Sequence, residues 1–250
     1  MGTCIQPTAA RLPRRLAGLA AAVTGLAPRS AAAQAPVEPA PIEAEPRPSG
    51  VHSSYQTWLG FSLFGPIRDP LLLAIDFSGG FYSDMHPAAL VVRPALGVKL
   101  PHGFSIFAGY SYASFWDDTH TRGEEHVAFQ QVAYLAPFTA VDLFGRVRLE
   151  ERFRAGSDPG YRLRTLVQLN VPLWEKAPLQ VVLWDEIFFA LNQPADWQPT
   201  VLDLDLFFAG FGWVPDRRFR AEIGYMGALA PRPDVTEWNH CLSVGTTAFW

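Results

Sequence analysis

The sequence predicts an all-β protein, an antiparallel up-and-down transmembrane β-barrel of about 10–12 strands. Three observations lead there. Eleven segments read as strands, and most run 10 to 16 residues, longer than the five or six usual in soluble sheets and long enough for the 9 to 11 that cross a membrane. From the fourth segment onward short turns alternate with longer polar loops, the pattern of periplasmic turns and external loops. The last stretch, Leu242-Ser-Val-Gly-Thr-Thr-Ala-Phe-Trp250, puts Leu242, Val244, Thr246, Ala248 and Trp250 on one face and finishes on an aromatic residue, as outer-membrane barrels commonly do.

In chain order, Arg11, Arg14 and Arg15 precede the apolar Leu16–Ala27 and the small residues Ala31-Ala32-Ala33. This is the composition of a secretory signal peptide, and residues 1–33 are expected to be removed. They carry four arginines and no acidic residue, so 16 basic and 24 acidic residues remain, a net charge of −8. That balance excludes nucleic acid as an expected partner. Cys4 leaves with the signal, and Cys241 is left without a partner in the chain. Residues 34–52 contain Pro36, Pro39, Pro41, Pro46 and Pro48, too much proline for a ladder or helix, and are read as an extended, disordered tail. The barrel is placed over 53–250. Its segments are about 53–64, 70–83, 88–100, 103–115, 124–136, 139–154, 160–174, 178–191, 200–213, 217–229 and 238–250. Both ends of such a barrel normally lie in the periplasm, which requires an even strand number. The reading is therefore ten strands, with 53–64 not spanning, or twelve, with two strands merged.

Thr139–Trp174 shows the alternation best. Leu143, Gly145, Val147, Leu149 and Phe153 share one face, and Arg146, Arg148, Glu150, Arg152 and Arg154 the other, because strand side chains alternate with period 2. After the turn, Tyr161, Leu163, Thr165, Val167 and Leu169 oppose Arg162, Arg164, Gln168 and Asn170. The same period in 200–213 sets Leu202, Leu204, Leu206 and Phe208 against Asp203 and Asp205. In 217–229 it sets Phe219, Ala221, Ile223 and Tyr225 against Arg218, Arg220 and Glu222. In a membrane barrel the apolar face meets lipid and the charged face lines the lumen, where arginines and carboxylates on adjacent strands lie within cross-strand reach. Of Asp185 and Glu186, neighbours on opposite faces, Glu186 is assigned to the lumen beside Trp184 and Gln180. The eight aromatics Trp58, Tyr82, Trp116, Trp174, Trp197, Trp213, Trp238 and Trp250 fall near strand ends and read as interfacial girdles.

The chain resembles an uncharacterised family of Gram-negative outer-membrane proteins, a domain of unknown function, over roughly Gln56 to Trp250. The resemblance is carried by Gln56-Thr-Trp58, Arg93-Pro-Ala-Leu-Gly97, Gly109-Tyr-Ser-Tyr112 and Glu125-His126 with Gln130-Gln131. It continues through Arg148-Leu-Glu-Glu-Arg152, Arg162-Leu-Arg164, Asp185-Glu186 and Glu222-Ile-Gly-Tyr225. It implies the fold and the location but no activity. The chain departs from it at Val127, where arginine is expected, and at Asp205-Leu206, where an Asn-Arg pair is expected.

The functional expectation is a non-enzymatic outer-membrane barrel with a charged, side-chain-filled lumen and a structural or narrow-pore role. The expected contacts are outer-membrane lipids and the general barrel-assembly machinery. One alternative is an outer-membrane hydrolase acting on lipid or lipopolysaccharide. His240 and Ser243 are three apart and so on opposite faces, a poor Ser–His pair, while His126 beside Glu124 and Glu125 offers an acid/base group. The other alternative is a soluble periplasmic barrel binding a small ligand. No zinc or calcium ligand spacing occurs, so no metal, cofactor or catalytic residue is assigned, and the oligomeric state stays open.

Overall fold

The computed structural model describes residues 50–116, 121–138, 141–174, 178–194, 201–232 and 235–250. The expected signal peptide and the proline-rich stretch up to Ser49 lie outside the described residues. In chain order the strands are β1 (Gly50–Arg68), β2 (Leu71–Tyr82), β3 (Pro87–Lys99), β4 (Phe104–Trp116), β5 (Arg122–Pro137), β6 (Asp142–Phe153), β7 (Gly160–Pro172), β8 (Leu179–Ala190), β9 (Leu202–Asp216), β10 (Phe219–Pro231) and β11 (Val235–Phe249). Each pairs antiparallel with the next, and a parallel β1–β11 ladder closes the barrel.

All eleven predicted segments are strands, and the even count is corrected. The expectation of ten or twelve assumed that both ends of the barrel lie on the same rim. Here the closing pair runs parallel over fifteen partners, Gly50↔Val235 to Phe64↔Phe249, so an odd number closes without a gap. The same ladder explains why Gly50–His52, expected in the tail, begin β1: residues 235–237 of β11 offer them backbone partners. Because the count is odd, β1 starts at one rim and β11 ends at the other. Asp69-Pro70, the 3₁₀ turn Pro101–Gly103 and Arg217-Arg218 lie on the rim where β11 ends, and the intervals 138–141 and 173–178 join strand ends there. At the rim where β1 begins, strand ends are joined by the sequence intervals 83–86, 117–121, 154–159, 191–201 and 232–234, which are longer on average but not in every case.

The strand period sorts side chains as the sequence implied on most strands. Outward positions are apolar and solvent-facing, with Val147 49% and Val167 54% exposed, and Leu59, Phe77, Leu96, Ile106, Leu183, Phe211, Ile223 and Leu242 in the same state on other strands. Inward positions fill the lumen in two apolar clusters. Leu72, Ala95, Phe107, Phe129 and Ala133 form one near the turn rim. Val182, Phe208, Met226 and Cys241 form the other, with Trp58 and Trp184 against it. Trp58 is thus corrected from girdle to lumen; its ring lies where a Cβ on Gly80 would stand, 2.6 Å away. Trp174, Trp213 and Trp250 do face out, and Trp197 lies outside the described residues.

Glycine is required where the walls crowd. Gly103, at φ +82°, turns the chain between β3 and β4, and a Cβ there would meet the Leu135 carbonyl oxygen at 2.3 Å. Gly210 and Gly224 face each other across β9–β10 beneath the Phe208 ring. A Cβ on Gly224 would stand 2.6 Å from the Gly210 Cα and 2.7 Å from the ring.

Three outcomes follow from this geometry. Gly224→Val should lower stability by about 1–3 kcal/mol in urea unfolding, through overpacking. Gly245→Ala, with nothing within 4 Å of its Cβ, should change stability by no more than about 0.5 kcal/mol. In a Cys241→Ser background, cysteines replacing Leu59 and Val244, Cα partners on the outer face, should cross-link under mild oxidation. Cysteines at Leu59 and Thr246, two residues out of register, should react less; equal reaction would refute the parallel closure.

Candidate functional site

The lumen wall of β5–β9 carries a continuous network of arginines and carboxylates. Register explains its form. Glu150 and Arg162 are Cα partners across β6–β7, and so are Arg148 and Arg164. Opposite charges thus stand side by side or on the diagonal, the distances at which cross-strand pairs interact. Arg162 donates from Nε to Glu150 Oε2 at 2.7 Å, and Arg164 from Nη1 to Glu150 Oε1 at 2.8 Å. Arg164 also holds both oxygens of Glu186, from Nε at 3.0 Å and Nη2 at 2.9 Å. Arg146, Leu166 and Glu186 occupy one row across β6, β7 and β8, and Arg146 reaches over Leu166 to donate to Glu186 Oε1 at 2.6 Å.

Toward the loop rim the network continues through Glu125. Arg152 grips it with a two-bond fork, Nε to Oε1 and Nη2 to Oε2, both 2.9 Å, the geometry that makes guanidinium–carboxylate pairs strong. Arg154 donates to the same carboxylate at 2.9 Å. Asp203 accepts from Arg162 at 3.0 Å and from Arg152 at 3.3 Å, with Arg232 at 3.7 Å. Glu125 is 1% exposed, and Arg148 and Glu150 are 2% exposed. Aromatic rings floor the network: Arg164 and Arg162 sit 4.1 and 5.0 Å over Phe188, and Arg148 sits 4.3 Å over Phe129, where the ring quadrupole favours a cation.

Of the residues assigned to the lumen from the sequence, Arg146, Arg148, Glu150, Arg152, Arg154, Arg162, Arg164, Glu186 and Asp203 meet in this one network. Arg220 and Glu222 also face inward and pair with each other, but they lie on β10 nearer the turn rim, where Arg220 donates to Asn170 Oδ1 at 2.5 Å. Two assignments are corrected. Arg218 sits exposed in the β9–β10 turn, its backbone N–H donating to Asp216 Oδ1 at 2.7 Å. Asp205 turns outward. A bulge on β9 pairs Leu204 with Phe188 and Leu202 with Phe189, leaving Asp203 as the extra residue. Asp203 and Leu204 therefore both face the lumen and parity reverses beyond them, so Leu204, Leu206 and Phe208 point in. Asp205 instead lies on the outer face, one diagonal from the exposed Asp185.

Five members escaped the sequence reading. The sequence places Glu125 only beside His126 as an acid/base neighbour, uses Arg93 and Gln131 only as carriers of the family resemblance, and assigns no role to Asp76 or Arg232. Asp76 and Arg93 are Cα partners on β2 and β3 and approach to 3.8 Å. Gln131 Oε1 accepts from Arg148 Nε at 2.9 Å and Nη2 at 2.6 Å. The usable signal was parity: Glu125, Val127, Phe129 and Gln131 are alternate residues of β5, but their mixed polarity hides the face. His126 faces outward, hydrogen-bonded to the Tyr110 hydroxyl. His240 also faces outward, 2.8 Å from the Tyr225 hydroxyl, whereas Ser243 borders a lumen cavity of about 200 Å³ with Gly60, Ser62, Trp184, Phe208 and Glu222.

Removing a shared counter-charge from this enclosed space is costly. Glu150→Ala, which leaves Arg148, Arg162 and Arg164 without their common partner, should lower unfolding stability by about 3–5 kcal/mol. Arg218→Ala, at an exposed turn, should change it by no more than about 0.5 kcal/mol. Tryptophan fluorescence in urea reads both.

Comparison with known proteins gives a family and no activity. The chain is 27% identical over 205 residues to an uncharacterised protein of Methylorubrum extorquens, a match covering 76% of this chain and 85% of that protein. A family model described as a protein of unknown function, DUF2490, matches residues 55–239, nearly the whole barrel. The eleven-stranded barrel with its buried arginine–carboxylate wall therefore belongs to the DUF2490 family.

Proposed function

We propose that the protein is a non-enzymatic β-barrel of a bacterial outer membrane, exported by an N-terminal signal peptide and inserted by the general barrel-assembly machinery. Its lumen is braced and narrowed by the arginine–carboxylate network. The observation that carries this reading is the inversion of polarity. The outer surface is a belt of exposed Leu, Val, Ile and Phe on successive strands, interrupted by Asp185, Asp205 and Glu151, while the paired arginines and carboxylates of the network are inside. Soluble proteins rarely expose apolar patches beyond a few hundred Å², whereas a membrane barrel needs such a belt to meet lipid. The same belt counts against a soluble periplasmic barrel. In a lumen of this width, long side chains from β5–β9 project from one wall, opposite small residues such as Gly60, Ser62, Gly245 and Ser243. Any solute path runs along that small-residue side, past the arginines.

Fractionation and planar-bilayer recording test the proposal. The mature protein is expected in the outer-membrane fraction, with heat-modifiable gel migration. Recovery from the soluble periplasm without a heat shift would overturn the location. Pure wild-type protein is expected to show little or no conductance, and the Arg148→Ala/Arg152→Ala variant clear conductance steps with anion preference reduced by the lost charges. Equal silence in both would remove the narrow-pore role and leave the bracing one.

A further inference from the structure

Guanidinium groups outnumber carboxylates in the middle of the lumen. Arg146 and Arg148 stand two residues apart on the lumen face of β6, Arg164 is the Cα partner of Arg148 on β7, and Arg93 faces the lumen from β3 beside Asp76. The carboxylates among them are Asp76, Glu150 and Glu186, and Glu150 is shared with Arg162 as well. Three buried N–H groups in this cluster have no acceptor among the described residues: Nε of Arg93, Nε of Arg146 and Nη1 of Arg148. Arg148 is the most enclosed of the three, at 2% exposure. Its Nε and Nη2 are occupied by Gln131, and its Nη1 lies 3.7 Å from Glu150 Oε1, beyond hydrogen-bond distance. Its contact with Phe129 uses the face of the guanidinium and none of its N–H groups.

Buried polar groups are normally hydrogen-bonded, and an unmatched buried charge is more costly still. A ligand that repairs both must be an anion with several acceptor atoms. Guanidinium groups match the oxygens of phosphate and carboxylate; a neutral molecule would leave the charge, and a halide offers one centre. We propose that the mid-lumen cluster of Arg148, Arg146 and Arg93 is a binding site for a small oxyanion, a phosphate or carboxylate group. Gln131 orients Arg148 toward it, and Glu150 and Glu186 hold the surrounding arginines apart. The site rests on the lumen alone, so it stands or falls independently of where the barrel resides.

Titration calorimetry on the folded full chain in detergent, in phosphate-free buffer, tests this with inorganic phosphate and acetate as separate probes. One equivalent of phosphate or acetate is expected to bind. Arg148→Gln should weaken binding at least tenfold. Arg146→Lys keeps the charge but loses the Nε–H, and should weaken it several-fold. Arg220→Gln, outside the cluster, should leave it unchanged. Far-ultraviolet circular dichroism establishes that each variant is folded; if Arg148→Gln does not fold, Arg146→Lys decides. Absence of binding by both probes at millimolar concentration, or unchanged binding in the folded Arg148→Gln or Arg146→Lys variant, would overturn the site. Either result would leave fractionation and heat-modifiable migration untouched.

Discussion

Glu150 is the residue on which the wall of the barrel depends. Its carboxylate, 2% exposed on β6, accepts from Arg162 and Arg164 of β7, and Arg164 passes the linkage to Glu186 of β8. Three strands are tied through one buried acid. The Coulombic attraction inside is strong, but so is the cost of drying these ions, and such pairs contribute little net stability over a well-packed apolar equivalent. What they add is specificity. A one-residue slip of β6 against β7 would turn the charged row to the outer face and the apolar row to the lumen. The network penalises that slip far more than leucines would. Losing one partner also costs more than the pair contributes, because the remaining charges stay buried.

The network occupies one side of the lumen, and its bulk sets the opposite side. Arginines on β6 and β7 reach across rings at Phe129 and Phe188, so the facing strands carry small residues. Gly60 and Gly245 stand beside each other on β1 and β11, with Ser62, Ser243 and a cavity of about 200 Å³ before them. Where an aromatic ring does cross to the small side, as Phe208 does, two glycines make room for it. Large groups on one wall against small ones on the other is how a closed sheet of this size fills without a central helix.

Closure through a parallel pair has a consequence for the rims. An even barrel returns its chain to the starting rim; this one does not. β1 enters from the rim of longer connections and β11 finishes on the rim of short turns, where the Trp250 indole donates to the Pro66 carbonyl at 3.1 Å. The parallel ladder is long, from Gly50 to Phe64 on β1, so its slightly weaker bonds per residue are offset by their number.

Alternation and strand length were enough to read the all-β class, the eleven segments and the charged face of β6 and β7, because period 2 is a local property of extended backbone. Nine of the network residues were legible for the same reason. Three things were not. The odd count was visible but rejected, since whether the first and last strands meet in parallel depends on residues about 185 positions apart. The outward turn of Asp205 depends on a bulge at Asp203, where the carboxylate swings in to meet Arg152 and Arg162, and no local pattern announces it. Glu125 was missed because its partners, Arg152 and Arg154, lie on the next strand, and only the ladder between β5 and β6 brings them together. Sequence alone determined which residues alternate; the closed sheet decided which face each alternation serves, because facing is a relation between strands.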